Sequence, residues 1–406
     1  MQNDFQSGPG PRSREPFRTP DEVASHDNQQ PAVPQNPPNT VTPQTAKPRH
    51  QAWFKRWPFN KKQTLIGAGV VVVLLGIGLG WFLLHQPKPT PKPVAVQPAP
   101  KKIAPKPTTV PSTLTGLPVA PSVNQRPVTG VMIENLPAAR PQAGLSQAGV
   151  VFEALTEGGI TRFLALFQDQ LPNNIGPIRS VRPYFLDWDL GFDAPLAHVG
   201  GSPQALQEIP QLGVKNLDQM YNGSYYQRIS SRPAPHNVYT SLSNLLALEA
   251  SKGWTSSNFN GFPRKPDAPA KNPSVTSINF NPSYSTYEVQ YSYNTANNSY
   301  ERSVGGSPQI DANTNQQLSP KVVIGMVVPW SQGALDSSDA YYSVYQVIGS
   351  GTAYVFQDGT VTVGKWTKTS PTAQISFTTQ DGQVLRLDAG QTWITVLGSV
   401  NQINYN

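Results

Sequence analysis

The chain has 406 residues, with 31 lysines and arginines against 24 aspartates and glutamates, and it contains no cysteine. The absence of cysteine excludes disulfide bonds, thiolate nucleophiles, iron–sulfur clusters and cysteine-ligated zinc. The positive charge is uneven, because residues 1–112 hold 14 basic and 5 acidic side chains while the rest of the chain has a slight acidic excess. A nucleic-acid-binding domain normally needs a basic face, so we expect no nucleic-acid partner.

The N-terminal part of the sequence predicts a membrane anchor. Residues 64–84 form an uncharged apolar run, and an α-helix of that length spans about 31 Å, roughly one hydrocarbon core. Residues 1–63 predict a disordered tail that ends in a basic and aromatic flank. The basic excess on that side of the run predicts a single-pass protein of the cell membrane with a cytoplasmic N-terminus. The lipid bilayer is therefore an expected partner of residues 64–84.

The remainder of the chain predicts two extracytoplasmic domains. Residues 85–112 alternate proline with lysine and other residues, which is typical of an extended polyproline-II spacer. Residues 113–258 predict an α/β domain, since short apolar runs suited to buried strands occur at 128–134, 150–155 and 162–167. Helices are expected to begin at Ser202 and at Thr240 or Ser241, which are good N-cap residues.

A second pattern follows the proline-rich stretch 259–272, which we interpret as a linker. Residues 273–406 alternate apolar and polar side chains with period two, and Asp-Gly pairs at 358–359 and 381–382 are typical of hairpin turns. This pattern predicts a twisted antiparallel sheet or a partial barrel. The fold class expected for the whole chain is α+β, with one N-terminal transmembrane helix, an α/β domain and a β-rich antiparallel-sheet domain.

The polar residues of the α/β segment concentrate near predicted strand ends, where α/β sheets place ligands. Guanidinium groups hold oxyanions bidentately, and a glycine-rich turn at a helix start offers backbone N–H groups. On these grounds the candidate anion site comprises Arg162, Arg179, Arg182, Gly200, Gly201, Ser202, Arg232 and His236. A polar network is expected around it, made of Glu134, Asn135, Arg140, Glu153, Glu157 and His198.

The same residues allow a purely structural interpretation. The arginines would then pair with Glu134, Glu153, Glu157 or Asp187 instead of binding a ligand. The sequence leaves both interpretations open. His198 and His236 lack the spacing of a zinc motif, and no GxSxG nucleophile elbow is present. We therefore expect no metal and no cofactor, and the sequence identifies no catalytic residue.

Several long stretches carry a resemblance to a known family. They include MIENLPAARPQAGLSQAGVVFEALTEGGITRFLALFQ, IGPIRSVRPYFLDW, HVGGSPQAL and RPAPHNVYTS, followed by ERSVGGSPQIDANTNQQLSPKVVIGM, GSGTAYVFQDGTVTVGKW and LDAGQTWI. They resemble the YerB-like family of bacterial surface proteins, a domain of unknown function (number 3048) with an N-terminal and a C-terminal part. The resemblance implies an exported, membrane-attached protein, often a lipoprotein. Because this chain has no cysteine to carry a lipid, its apolar run would serve as the anchor.

A looser resemblance bears on chemistry. The order of strands, the segment IRSVRP and the segment GGSPQALQEIPQLGV are similar to those of LytR-CpsA-Psr phosphotransferases, which attach wall polymers to peptidoglycan. That resemblance implies that Arg162, Arg179 and Arg182 would hold a polyprenyl pyrophosphate.

The function expected from the sequence is binding of a cell-envelope component, either an anionic glycan or a lipid-linked phosphate. The alternative is an envelope enzyme, a phosphotransferase or hydrolase that acts on wall polymer or on polyprenyl-phosphate intermediates. Whether the chain is an enzyme stays open at this point. A cell-wall polymer or a lipid-linked precursor is the expected ligand in either case.

Overall fold

The computed structural model describes residues 76–85, 108–336 and 340–406. The chain divides into two compact units, residues 1–100 and residues 101–406. In the first unit, helix α1 covers residues 76–84 with exposed side chains. No helix of the described residues is long and apolar enough to cross a membrane. More than half of the expected span 64–84, the whole tail 1–63 and most of the spacer 85–112 lie outside the described residues.

The second unit contains three further helices and twenty-four strands among the described residues. The helices are α2 (Pro183–Leu190), α3 (Pro203–Leu212) and α4 (Leu242–Ser251). The strands of the first half are β1 (Val110–Pro111), β2 (Pro118–Val119), β3 (Thr129–Glu134), β4 (Val150–Leu155), β5 (Thr161–Phe167), β6 (Leu196–Ala197), β7 (Gln227–Arg228), β8 (Val238–Tyr239) and β9 (Arg264–Lys265). Those of the second half are β10 (Ser277–Phe280), β11 (Val289–Asn294), β12 (Ser299–Val304), β13 (Ser307–Pro308), β14 (Ile310–Asp311), β15 (Gln316–Gln317), β16 (Val322–Val327), β17 (Trp330–Leu335), β18 (Tyr341–Tyr345), β19 (Gly349–Gln357), β20 (Thr360–Lys368), β21 (Ser376–Thr379), β22 (Leu387–Asp388), β23 (Thr392–Leu397) and β24 (Ile403–Tyr405).

A nine-stranded sheet forms the centre of this unit, in the order β21-β20-β19-β16-β23-β4-β5-β3-β6. Strands β3, β4 and β5 are buried along their whole lengths, as their continuous apolar runs predict. The turn after β4 reverses the chain, so that β4 and β5 pair antiparallel, and β3 pairs antiparallel with the far side of β5. The three predicted strands of the α/β segment are therefore confirmed.

The sheet also crosses the boundary placed at 259–272. Strand β23 lies between β16 and β4, pairing parallel with both, and places Ile394 opposite Phe152. Without β23, the edge of β4 would present unpaired backbone groups. Strands from residues 113–258 and 273–406 thus share one sheet, so the linker separates two sequence patterns within a single compact unit.

The strands of the second segment do not form the single antiparallel sheet or partial barrel that their pattern suggests. Strands β16, β19, β20, β21 and β23 join the central sheet, while β10 to β13 form a five-stranded sheet with β24. Strand β23 is buried on both faces and pairs in parallel. The period-two pattern identifies strands correctly, but it does not determine their partners. The structure has a mixed α+β fold.

Two hydrophobic layers cover the central sheet. One layer contains Phe185 and Trp188 of α2 and Ile209 of α3, together with Phe152 and Ile394 of the sheet. The other layer packs the five-stranded sheet and helix α4 on the opposite face. Helices α2 and α3 therefore lie on the same side of the sheet.

The local signals for helix starts and turns are confirmed. The Ser202 side chain accepts a hydrogen bond from the Ala205 N–H at the start of α3, and Ser241 caps α4 in the same way. The Asp358-Gly359 pair forms the turn between β19 and β20, with φ angles of 58° and 70°. Two consecutive positive φ angles are what a type I′ hairpin turn requires.

Candidate functional site

Many of the polar residues singled out in the sequence meet near one end of the central sheet. Glu134 ends β3 and lies opposite Arg162 of β5 in the strand register. Glu157 is in the turn that joins β4 to β5. The segment that carries Arg179 and Arg182 runs beside this end, because the Arg179 N–H donates to a carbonyl of β3 at 3.0 Å. These segments therefore lie beside one another at this end of the sheet.

Glu157 lies between two arginines. Its Oε1 accepts from Arg162 Nη2 at 2.9 Å, and its Oε2 accepts from Arg182 Nε at 2.9 Å and also from Arg182 Nη2. Two further donors bind backbone, since Arg162 Nη1 donates to the Ser180 carbonyl and Arg182 Nη1 to the Val181 carbonyl, each at 2.7 Å. The buried Arg162 Nε has no hydrogen-bond partner among the described residues. Burial by itself would raise the pKa of Glu157, but the two arginine charges and their hydrogen bonds lower it to about 2.

Arg179 pairs with a different carboxylate. Its Nε lies 3.3 Å from Glu134 Oε1, while His236 Nδ1 lies 2.9 Å from Glu134 Oε2. Arg179 and Arg182 are therefore directed at Glu134 and Glu157 respectively, and the two guanidinium groups do not converge on one point. The geometry corresponds to the structural interpretation that the sequence left open for these two arginines.

The glycine-rich turn before α3 also uses its N–H groups internally. The Gly200 N–H donates to Asp218 Oδ1 at 3.0 Å, and the Ser202 N–H donates to the Val181 carbonyl at 3.2 Å. The Ser202 hydroxyl is occupied as the cap of α3, accepting from the Ala205 N–H at 3.3 Å. Two of the three backbone donors expected to hold an anion are thus already bonded to protein groups.

His198 holds this glycine-rich turn in place through hydrogen bonds. The imidazole is fully buried, with Nδ1 2.8 Å from the Gly200 carbonyl and Nε2 3.0 Å from Asn216 Oδ1. Burial lowers the pKa of His198. We assign His198 a structural role in fixing the turn, because both of its ring nitrogens already contact protein oxygens.

Arg140 and Arg232 likewise bind backbone carbonyls. Arg140 Nη2 donates to the Asn135 carbonyl at 3.0 Å and to the Thr286 carbonyl at 3.1 Å. Arg232 Nη2 donates to the Pro141 carbonyl at 2.8 Å. Both side chains tie together loops that are distant in sequence.

Glu153 forms an ion pair that sequence analysis did not find. Arg302 Nη2 of β12 donates to Glu153 Oε2 at 2.8 Å, and both side chains are fully buried. The guanidinium group lies 4.3 Å from the centre of the Trp393 ring and also donates to the Tyr291 hydroxyl. The sequence did contain a sign that Arg302 is buried. Arg302 alternates with Tyr300 and Val304, so it lies on the same, buried side of β12.

A cleft opens next to the Glu157 cluster. It has a volume of about 400 Å³ and is lined by the first turns of α2 and α3 and by the hairpin of β17 and β18. Its chemically distinctive lining residues are Arg182, Asp187, Glu208, Tyr342 and Ser202. The cleft therefore contains two members of the candidate anion site, together with carboxylates and an aromatic ring that the sequence did not assign to it.

The hairpin that forms one wall of the cleft is attached to the β4–β5 turn. The Ser343 N–H donates to the Thr156 carbonyl at 2.8 Å, and the Gly158 N–H donates to the Tyr341 carbonyl at 3.2 Å. The Arg182 guanidinium lies 5.3 Å from the centre of the Tyr342 ring. These contacts join the Glu157 ion cluster to the β17–β18 hairpin that forms the wall of the cleft.

The carboxylates of the cleft differ from Glu157 in their partners. Among the described residues, neither Asp187 nor Glu208 has a salt bridge. Burial raises the pKa of Asp187 to about 6, although Lys368 acts in the opposite direction. Burial lowers the pKa of Lys368 to about 8, and its ammonium group donates to the Pro371 and Ala373 carbonyls. The cleft thus offers carboxylate acceptors, whereas its arginine is already neutralised.

Comparison with known proteins gives the family. The model of the N-terminal domain of a protein of unknown function, DUF3048, matches residues 114–255, and that of the DUF3048 C-terminal domain matches residues 277–394. The chain belongs to this family. Its two matched parts correspond to the two segments that share the central sheet.

The relatives of the family agree with this assignment. The chain is 31% identical over 288 residues to a protein of Bacillus subtilis (strain 168) described as "Putative lipoprotein YerB", which covers 70% of this chain and 85% of that protein. The crystal structure of YerB from Bacillus subtilis is similar with a TM-score of 0.65 and 29% identity, covering 73% of this chain and 99% of the solved one. The YerB-like resemblance is therefore confirmed.

Proposed function

We propose that the chain is a membrane-attached, extracytoplasmic protein that binds a glycan of the cell envelope in the cleft between α2, α3 and the β17–β18 hairpin. The observation that carries this proposal is the lining, where Asp187 and Glu208 lack salt bridges to the described residues while Arg182 is held by Glu157. Glu208 Oε1 accepts a hydrogen bond from Gln204 Nε2 at 2.8 Å, but a carboxylate has room for further hydrogen bonds from hydroxyl or amino groups. A ring such as that of Tyr342 adds an apolar surface, and a mixture of this kind is typical of small-molecule sites.

The charge of the cleft favours a neutral or amino sugar over the anionic glycan or lipid-linked phosphate that the sequence suggested. A phosphate at Arg162 or Arg182 would have to compete with Glu157, whose low pKa keeps it ionised. Removing a carboxylate from two buried guanidinium groups is costly, because each charge-assisted hydrogen bond contributes about 1.5–3 kcal/mol. A sugar that brings hydroxyl or amino groups needs no such exchange. We therefore place the glycan, and not a lipid phosphate, in the cleft.

The test is a calorimetric titration of the full-length protein with chito-oligosaccharides, with their de-N-acetylated glucosamine forms and with inorganic pyrophosphate. We expect the sugars to bind and pyrophosphate not to bind. The variants Tyr342→Ala and Glu208→Gln should weaken sugar binding at least tenfold, which corresponds to ~1.4 kcal/mol. Tyr221→Ala is the matched control, because Tyr221 is 83% exposed and does not line the cleft. Binding of pyrophosphate alone would contradict the proposal.

A second candidate function, hydrolysis of the bound glycan, is favoured by one observation. Burial raises the pKa of Asp187 to about 6, and Glu208 is a second carboxylate in the same cleft. Glycoside hydrolysis uses one protonated and one ionised carboxyl group. The variant Asp187→Asn separates the two candidates, since an enzyme would lose turnover of a chromogenic chito-oligosaccharide while retaining affinity. A binding protein would show no turnover in either form.

We also propose that residues 64–84 attach the protein to the membrane with the N-terminus in the cytoplasm. The support is the uncharged apolar run with its basic N-terminal flank, together with the description of the Bacillus subtilis relative as a lipoprotein. Protease added to intact protoplasts should digest the part that follows the run and should spare residues 1–63. Digestion of the N-terminal part with protection of the remainder would contradict this orientation.

A further inference from the structure

A second group of charged side chains lies away from the cleft, where the segment between the two family matches meets the C-terminal strands. Asp267 belongs to that segment, Asp358 to the β19–β20 turn and Asp388 to β22. One carboxylate oxygen of each residue lies within 4.8 Å of the other two. Three carboxylates at this separation repel one another unless cations or a shared proton lie between them.

One carboxylate in this group has an oxygen with no partner. The Asp388 side chain is fully buried, and its Oδ1 accepts from Lys265 Nζ. Its Oδ2 is buried and accepts no hydrogen bond from the described residues. Leaving a buried acceptor unsatisfied costs free energy, and the cost is greater when the acceptor belongs to a charged group. The position of this oxygen therefore points to a further positive ligand.

The ammonium groups present do not balance the carboxylates. Lys265 binds Asp358 and Asp388, and Lys321 binds Asp267, so two positive charges face three negative ones. Neither lysine is enclosed, because their side chains are 28% and 26% exposed. Lys321 can turn towards solvent, whereas displacing Lys265 breaks its ion pair with the fully buried Asp388, so an entering cation must replace that contact. The cluster keeps a net negative charge and a cation can displace Lys265.

Further oxygens are available around the three carboxylates. The Asn298 amide bridges Asp267 and Asp358, and its oxygen accepts from the Tyr293 hydroxyl at 2.7 Å. A rotation of this amide by 180° would direct the oxygen to the carboxylates and the nitrogen to the tyrosine. The Asn297 carbonyl also faces the group, because it accepts from Lys321. Carboxylate, amide and carbonyl oxygens are the ligand types of calcium sites.

We propose that Asp267, Asp358 and Asp388 form a calcium-binding site, in which Ca²⁺ competes with the ammonium group of Lys265. Calcium accepts six to eight oxygen ligands in flexible geometry, which suits residues drawn from three loops. Competition by lysine predicts modest affinity, in the range of about 10⁻⁴–10⁻³ M that extracellular modules show. Bound calcium would fasten the segment between the two family matches to the C-terminal strands.

The proposal is tested on the full-length protein after treatment with a chelator. Calorimetry with CaCl₂ should give one site, and Tb³⁺ should show emission sensitised by Tyr293, which lies beside the group. Asp388→Asn should weaken calcium binding at least tenfold. Lys265→Met should strengthen it, because the competing ammonium group is removed while the aliphatic stem is kept. Asp381→Asn is the matched control, since Asp381 is an exposed aspartate of another turn.

The variants also distinguish calcium binding at this site from loss of folding, from a permanent lysine counter-ion and from binding elsewhere. The thermal midpoint of each variant without calcium reports folding separately from binding, and Lys265→Met provides a second test if Asp388→Asn fails to fold. Absence of binding by the wild-type protein at about 10 mM Ca²⁺, ten times the weakest expected dissociation constant, would overturn the proposal. Binding by Lys265→Met alone would also overturn it, because lysine would then be the permanent counter-ion. Equal binding by wild type and Asp388→Asn would place the ion elsewhere.

Discussion

Glu153 in β4 and Glu157 in the turn after it are only four residues apart. They nevertheless differ in their partners and in their exposure to solvent. Glu153 is enclosed with Arg302, an arginine from the other family match, and neither side chain reaches solvent. Glu157 is held by Arg162 and Arg182 at the rim of a cleft and keeps 15% of its side chain exposed. The first pair joins two parts of the fold, whereas the second cluster sets the charge of a surface that can meet a ligand.

The largest expected effect follows from breaking the enclosed pair. Arg302→Met leaves Glu153 buried without its counter-ion, which should destabilise the protein by about 3–5 kcal/mol. Urea unfolding of the full-length variant measures this loss, with Arg386→Met as a control at an exposed arginine. The double variant Glu153→Gln/Arg302→Met should recover much of the stability. A loss below about 1 kcal/mol in the single variant would show that Arg302 is not a structural link.

The second effect is a dependence of the folding stability on pH that Glu157 causes. Its pKa is about 2 in the folded protein against an ordinary value of 4.5. Since the folded state favours the ionised form, Glu157 stabilises the protein above pH 4.5, and this contribution is lost as the pH falls towards 2. The difference in pKa corresponds to about 3 kcal/mol. As the pH is lowered from 5 to 2, the unfolding free energy should fall more steeply in the wild type than in Glu157→Gln.

A third experiment tests whether Glu157 decides which ligands the cleft accepts. Glu157→Gln removes the charge that neutralises Arg162 and Arg182, so inorganic pyrophosphate should bind the variant at least tenfold more tightly than the wild type, about 1.4 kcal/mol. The matched control is Glu301→Gln, because Glu301 accepts a hydrogen bond from Asn294 and lies on β12. Unchanged pyrophosphate binding in Glu157→Gln would mean that the arginines are inaccessible and not merely neutralised.

The smallest effect is expected at Asp187. Burial raises its pKa to about 6, so the ionised form is disfavoured and the folded protein loses stability as the pH rises from 3.8 through 6. Asp187→Asn should therefore raise the thermal midpoint at pH 8 and leave it nearly unchanged at pH 3. If the same variant binds chito-oligosaccharides less tightly, the residue is retained for the ligand at a cost in stability. A lower midpoint at pH 8 would identify Asp187 as a structural residue.

The local elements of this protein follow from the sequence because their causes are local. Continuous apolar runs specify β3, β4 and β5, serine caps specify the starts of α3 and α4, and the Asp358-Gly359 pair specifies a hairpin turn. Each of these depends on side chains within a few residues, so no knowledge of distant partners is needed. The same holds for the collection of polar residues near the ends of the predicted strands.

The tertiary structure decided which of these elements and side chains meet. Periodicity shows that β23 is a strand, but only the fold inserts it between β4 and β16 and so merges two sequence patterns into one sheet. Composition shows that arginines and glutamates are present, but only the fold assigns Arg179 to Glu134, Arg182 to Glu157 and Arg302 to Glu153. The cleft arises because a hairpin from the C-terminal segment docks on the β4–β5 turn. Contacts between residues distant in sequence depend on packing of the whole unit, and a local pattern contains no information about that packing.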